Sequence, residues 1–289
     1  MADLSNTGVP IPSLPLPFTY NLPESFGPGR VLFIHGIVNN HADVFQINLL
    51  AGSTNLDVVQ GDVALHMETR YSQKRHSFNS SKGTEWSGEE HVPLAFEQGQ
   101  VFDIQIHLLD DKIEVFANQQ KIYECPHRIP PESIEYLNIT GDVVLSGVYL
   151  DGKAYVLPFV SKPPNGHLSA GDRVIIYGIP NKAEFQVDFL GFNNESLFHF
   201  RANFDEQIVV RNAFIDGEWG REEKSGGFPF RKDAAFDLVI VNEPYFIQIF
   251  VDSRPYAQFN HRVRQPGADY AAVKISGDLQ VFAFKIIHV

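Results

Sequence analysis

The chain repeats itself. Residues 66–91, HMETRYSQKRHSFNSSKGTEWSGEEH, return at 199–224 as HFRANFDEQIVVRNAFIDGEWGREEK. In both copies a His opens a stretch of alternating polarity, and a Trp stands 20 residues after that His and 7 after an Asn. The chain has only 2 Trp, Trp86 and Trp219, and they hold equivalent places. The correspondence runs well beyond this segment. Pro17-Phe18 returns at Pro158-Phe159, RVLFIHG at 30–36 as DRVIIYG at 172–178, Phe102-Asp103 at Phe236-Asp237, and Gly141-Asp142 at Gly277-Asp278. The offset falls from 140 at Phe45/Phe185 to 133 at His66/His199, because AGSTNLDVVQGD in the first copy shrinks to GFNNES in the second. A repeat of this length is a whole domain, not a solenoid unit. The expected organisation is a Pro- and Ser-rich tail over 1–14, a first domain over 15–150, a very short linker over 151–156 and a second domain over 157–289.

Each half reads as all-β. Residues 30–35, 44–50, 63–71, 102–108, 113–118 and 143–150 are β-rich runs separated by Gly, Asn, Asp and Pro clusters. In FDIQIHL, Phe102, Ile104, Ile106 and Leu108 share one face. No segment holds a sustained helical period, and 127–134 has room for one helical turn at most. Short strands at regular spacing predict an antiparallel two-sheet sandwich in each half, with one sheet face left to solvent. On such a face His66, Glu68 and Arg70 project from one side of a strand, as do His199, Arg201 and Asn203.

Composition narrows the function. With 44% hydrophobic and 20% charged residues the chain is globular. The formal charge of −12 falls mostly on residues 1–150, and that acidity opposes binding to a phosphate backbone, so nucleic acid is not an expected partner. No apolar run nears the ~18 residues that cross a bilayer. The first residues carry neither a basic nor a continuous apolar region, so no secretory signal is expected, and the single Cys125 suits a reducing compartment. The sequons at Asn79, Asn138 and Asn194 are accordingly expected to stay unmodified. No Cys pair, HExxH or EF-hand loop implies a metal, and no cofactor is implied. Glu89-Glu90 and Glu222-Glu223 are neighbours in sequence, which rarely flank one glycosidic bond, so enzymatic chemistry is not expected.

What remains is recognition of a sugar. A hexose offers hydroxyls at its edge and an apolar face of C–H groups, so a site needs an aromatic platform ringed by fixed donors and acceptors. A lone Trp is by default a core residue, and a lone His an ordinary surface one. The doubled constellation at equal spacing points to platforms instead.

These residues resemble those of the galectins, specifically a tandem-repeat galectin, over about residues 15–289. That family's pattern is H-x-N-x-R, then V-x-N, then W-G-x-E-x-R, on a jelly-roll sandwich that binds β-galactosides without metal. The resemblance implies sugar-binding roles for His66, Glu68, Arg70, Asn79, Trp86, Glu89 and His91 in the first domain. In the second it implies them for His199, Arg201, Asn203, Asn212, Trp219, Glu222 and Lys224. Glu68 stands where Asn is expected and His91 where Arg is expected. Arg201 and Asn203 look exchanged, and Lys224 replaces the last Arg. An ionised Glu68 only accepts, but it can lock Arg70 in place. Arg201 must bend away to leave room for the ring, Asn203 is too short for the Arg role, and Lys224 lacks the guanidinium fork. The expectation is a bivalent lectin that bridges β-galactoside-containing glycoproteins or glycolipids, with the first domain the better galactoside binder. The rival expectation is a galectin-fold interaction or structural module with weakened or lost sugar binding. The resemblance also implies a cytoplasmic protein, exported where it is exported without a signal peptide.

Overall fold

A computed structural model describes residues 14–23, 26–56, 60–150 and 155–288. They fall into two compact units, one within 14–150 and the other within 155–288. The expected tail and linker lie almost wholly outside the described residues. Leu14, which composition assigns to the tail, instead donates its backbone N–H to Leu145 O at 2.7 Å and so belongs to the first unit.

In the first unit one sheet runs in the order Phe18–Asn21, Tyr136–Gly141, Val44–Ala51, Asp62–Arg70, Arg75–Lys82, Glu85–Trp86, with Glu90–Pro93 also paired to Arg75–Lys82. The second sheet runs Gln120–Pro126, Lys112–Ala117, Val101–Leu108, Val31–Val38, Val143–Leu150. All pairings are antiparallel. One core lies between the sheets, built from alternate residues of both: Ile47, Leu49, Leu65, Met67, Phe78 and Ile139 from the first, Ile34, Phe102, Ile104 and Val115 from the second. The six expected strands are present within a residue or two, apart from Val31–Val38, which runs three further. The 127–134 segment holds one 3₁₀ turn, Pro131–Ser133. Arg75–Lys82, RHSFNSSK, is a strand that apolar content does not reveal. Its inward side chains are His76, Phe78 and Ser80, and the rest face away from the core.

The second unit uses longer strands. Arg173–Leu190 pairs with Phe236–Asn242 over its first six residues and with Ser196–Asn203 over its last seven. Ala272–Ile287 follows it along both parts, so the same two strands serve both sheets. Its core is rich in Phe: the rings of Phe185, Phe200, Phe230 and Phe236 form one contacting group and those of Phe189 and Phe198 a second.

The repeated Gly-Asp marks the point where the chain passes between sheets. Gly141 and Gly277 have φ of +101° and +98°, and a Cβ on either would lie 2.4 Å from a carbonyl oxygen, of Val44 or of Glu184. The following Asp caps the facing turn: Asp142 Oδ2 accepts the N–H groups of Asp43 and Val44, and Asp278 accepts those of Asn181 Nδ2 and Ala183. Conformation and space both demand glycine here. Gly141→Ala and Gly277→Ala should each lower the free energy of urea unfolding by ~2 kcal/mol or more. Gly83→Ala, at φ +59° in open space, should cost only ~1 kcal/mol. Equal losses at all three would refute the crowding argument.

Candidate carbohydrate sites

Strand register sets the outward polar groups of the first unit into two rungs. Thr19, Asn138, Asn48, His66 and Asn79 stand opposite one another on five neighbouring strands. Thr140, Gln46, Glu68, Ser77 and His91 form the next rung. Along the first, His66 Nδ1 lies 2.6 Å from Asn48 Oδ1, Asn48 Nδ2 donates to Asn138 Oδ1 at 3.2 Å, and Asn138 Nδ2 donates to Thr19 Oγ1 at 3.1 Å. An amide oxygen only accepts, so the proton sits on His66 Nδ1 and Nε2 remains an acceptor. Burial holds the His66 pKa below its ordinary value against the opposing fields of Glu68 and Glu89. The imidazole is therefore neutral at neutral pH.

On the second rung Gln46 Nε2 donates to Glu68 Oε2 at 2.7 Å, and Arg70 Nε donates to Glu68 Oε1. Burial alone would raise the Glu68 pKa, but these hydrogen bonds outweigh it and hold the carboxyl below its usual range. Glu68 is thus an anion that clamps Arg70, whose side chain stays 46% exposed with the rest of its guanidinium available. His91 Nδ1 lies 3.1 Å from Ser77 Oγ and 4.0 Å from Glu89 Oε1. Trp86 is 40% exposed and meets the His66 ring edge-on at 5.7 Å, so the indole is no core residue. Asn79 Oδ1 accepts from Ser80 N–H at 2.9 Å and Ser87 Oγ at 2.6 Å, which leaves its amide N–H groups to face a ligand.

The second unit builds the same frame from different groups. Asp188 takes the place of Asn48: its Oδ1 accepts from His199 Nδ1 and from Ser196 Oγ, both at 2.6 Å. Trp219 is 54% exposed, meets the His199 ring edge-on at 5.0 Å and lies tilted 5.3 Å from that of Phe214. A concavity of about 550 Å³ is lined by Gln186, His199, Arg201, Val210, Asn212, Trp219, Gly220 and Glu222. Arg201 reaches sideways, its Nη1 3.7 Å from Glu184 Oε2, as its length requires. Lys224 lies 2.5 Å from Glu222 Oε2, and this hydrogen bond, with the Arg201 charge, keeps Glu222 ionised below the usual carboxylate range.

Two expected ligand residues stand outside that concavity. Asn203 Oδ1 accepts the N–H groups of Asp205 and Glu206 at 3.0 and 2.9 Å. The side chain at the strand's end thus caps its own turn through its oxygen, as a short amide does most readily. Lys224 pairs with Glu222 and is not among the residues that line the concavity.

Sequence reasoning missed the supporting partners. Gln46 and Gln186, and Asn48 and Asp188, sit on the strand beside each His strand, 140 residues apart like Phe45 and Phe185. That offset was the available signal. Ser87, which holds Asn79 by its oxygen, carries no such mark, and Arg262, which holds Asn212 likewise, is marked only by a repeated His-Arg pair far from its partner.

Comparison with known proteins agrees with this geometry. The profile of the family described as Galactoside-binding lectin matches residues 17–150 and 158–286. The chain is 37% identical over 276 residues to a 32 kDa beta-galactoside-binding lectin of Caenorhabditis elegans, covering 95% of this chain and 97% of that one. It is 35% identical over 274 residues to the protein of the same description from Haemonchus contortus, covering 94% and 95%. It is 26% identical over 309 residues to Galectin-4 of Sus scrofa, covering 91% and 93%. The chain therefore belongs to the galactoside-binding lectin family, the galectins, with one family domain in each half.

Proposed function

We propose that this chain is a bivalent lectin for β-galactoside-containing glycans, with the first unit the stronger galactoside binder. The observation that carries this reading is the exposed indole set edge-on to a fixed imidazole, once in each unit. Around the Trp86 face stand an acceptor on His66, a guanidinium on Arg70 and amide N–H groups on Asn79, a mixture suited to hydroxyls that both donate and accept. The nematode relatives are described as beta-galactoside-binding lectins, which supports the same ligand class. In the second unit Asn203 caps a turn and Arg201, on the central rung, turns its guanidinium toward Glu184, which favours weaker galactoside binding there or a different sugar. Two sites on one chain bridge glycoproteins or glycolipids, and tethering raises avidity by ~10²–10⁴ where both engage. Synthesis in the cytoplasm, with any export independent of a signal peptide, completes the proposal.

The 2 Trp make each site its own reporter. In a Trp219→Phe protein, lactose at millimolar concentration should change Trp86 emission. In a Trp86→Phe protein the Trp219 response should need at least ~tenfold more lactose, as the loss of one charge-assisted hydrogen bond predicts. Silence of Trp86 throughout would leave the interaction-module reading standing for the first unit.

Binding at the first site should also depend on pH. His66 accepts through Nε2 only while neutral, and its pKa lies below the ordinary 6.5. Lactose affinity of the Trp219→Phe protein should therefore be flat from pH 8 to 6.5 and fall as pH drops further. A decline already complete at pH 7 would refute the assigned role of His66.

A further inference from the structure

The two sites hold their central amide by different means. Asn212 Oδ1 accepts from Ala213 N–H at 2.8 Å and from Arg262 Nη1 at 2.7 Å, while Asn212 Nδ2 donates to Gly220 O at 3.0 Å. The same guanidinium donates through Nη2 to Arg221 O at 2.6 Å and Glu223 Oε1 at 3.1 Å, and it lies over the Phe259 ring at 4.7 Å. One fixed fork thus ties Asn212 to the segment that carries Glu222. In the first unit the oxygen of Asn79 is held by the Ser87 hydroxyl instead.

The exchange has a steric cause. Ser87 and Gly220 are equivalent, 133 residues apart, and a His-Arg pair recurs at 127–128 and 261–262. Both units therefore possess the arginine. A Cβ on Gly220 would stand 2.5 Å from Arg262 Nη1, so glycine is what admits the guanidinium beside Asn212. In the first unit a Ser carries its Cβ at that position, and Arg128 Nη1 donates to Ser80 O at 3.0 Å, one residue beyond Asn79.

We propose that Arg262 is a positioning residue of the second site, that Gly220 is the residue that lets it act, and that Ser87 performs the same task in the first. This rests on the reading of the second unit as a glycan site. With its oxygen saturated, Asn212 is held with an amide N–H toward the concavity; without that hold the amide can turn and present the wrong group.

The test uses the full chain carrying Trp86→Phe, so that Trp219 emission reports lactose at the second site alone. Arg262→Ala should weaken lactose binding by ~tenfold or more, the usual effect of losing a charge-assisted hydrogen bond. Gly220→Ala should weaken it comparably, since its methyl displaces the guanidinium and supplies no donor. Gly220→Ser should stay within ~threefold of the parent, because the hydroxyl takes over as Ser87 does, and it should restore binding to the Arg262→Ala protein. A general loss of packing would not be repaired by one hydroxyl. If Arg262→Ala does not fold, the Ala and Ser pair at Gly220, which keeps Arg262, decides. Unchanged affinity in Arg262→Ala overturns the proposal, as does a Gly220→Ser protein no better than Gly220→Ala. A Trp86→Phe parent with no response to lactose overturns the reading of the second unit as a galactoside site, and this proposal with it.

Discussion

A strand that packs a core with one side must satisfy every polar group on the other. In the site-bearing sheet of the first unit the inward residues are Ile47, Leu49, Leu65, Met67 and Phe78, all essentially without solvent contact. The residues between them project outward on strands whose neighbours lie only ~5 Å away. Asn48 and Asn138 are so hemmed in there that they too are buried, at 0% and 4% exposure. An unpaired buried amide would cost ~1–3 kcal/mol, so the amides bond one another and the chain of bonds ends on His66. The register that builds the core therefore also sets the imidazole's tautomer. A slip of one residue would reverse both faces at once.

Within that frame the two units offer a ligand different groups. The centre of the first face is the carboxylate of Glu68, anchored by Gln46 and holding the cation Arg70 at the strand's end. At the centre of the second stands a cation, Arg201, and its acidic partner Glu184 lies on the neighbouring strand, where Gln186 also donates to it at 3.2 Å. The support below His changes in kind as well, from the neutral Asn48 to the carboxylate Asp188. A hydroxyl laid over the strand centre meets an acceptor in one unit and a donor in the other. Under the proposed lectin reading, that difference, more than any change in backbone, is what would give the two units different preferences.

The fold was legible because its signals are of period two and doubled. Phe102, Ile104, Ile106 and Leu108 alternate in sequence and are all buried, and the paired Trp residues are both open to solvent. Arg75–Lys82 was not legible, since a strand with one polar face and a His among its inward residues has little apolar content to count. The roles of individual polar residues were legible only in part. Glu68 clamps Arg70 as its charge suggested, but Asn203 could be seen in its turn only once the strand's end was fixed, two residues before Asp205. Arg262 lies 50 residues from the Asn212 it holds, and nothing local in the sequence couples them.

The inward face shows that shape is kept where chemistry is not. Phe78 stacks on Tyr123 with centroids 4.1 Å apart. Its equivalent, Arg211, has no exposure in the second unit, and its guanidinium lies 5.8 Å over the ring of Tyr256, one residue before Ala257, the register equivalent of Tyr123. Arg211 Nη2 donates to Ser225 Oγ at 3.1 Å, while Nε and Nη1 have no hydrogen-bond partner among the described residues, a costly arrangement for a buried cation. Yet a planar group on an aromatic face fills the same slot as the lost Phe and still attracts the ring, by cation–π attraction in place of apolar stacking. Asn212 follows on the same strand and faces the site, so this slot cannot collapse without moving it. A flat group at 211 thus keeps the strand that carries Asn212 packed, even where that group is charged.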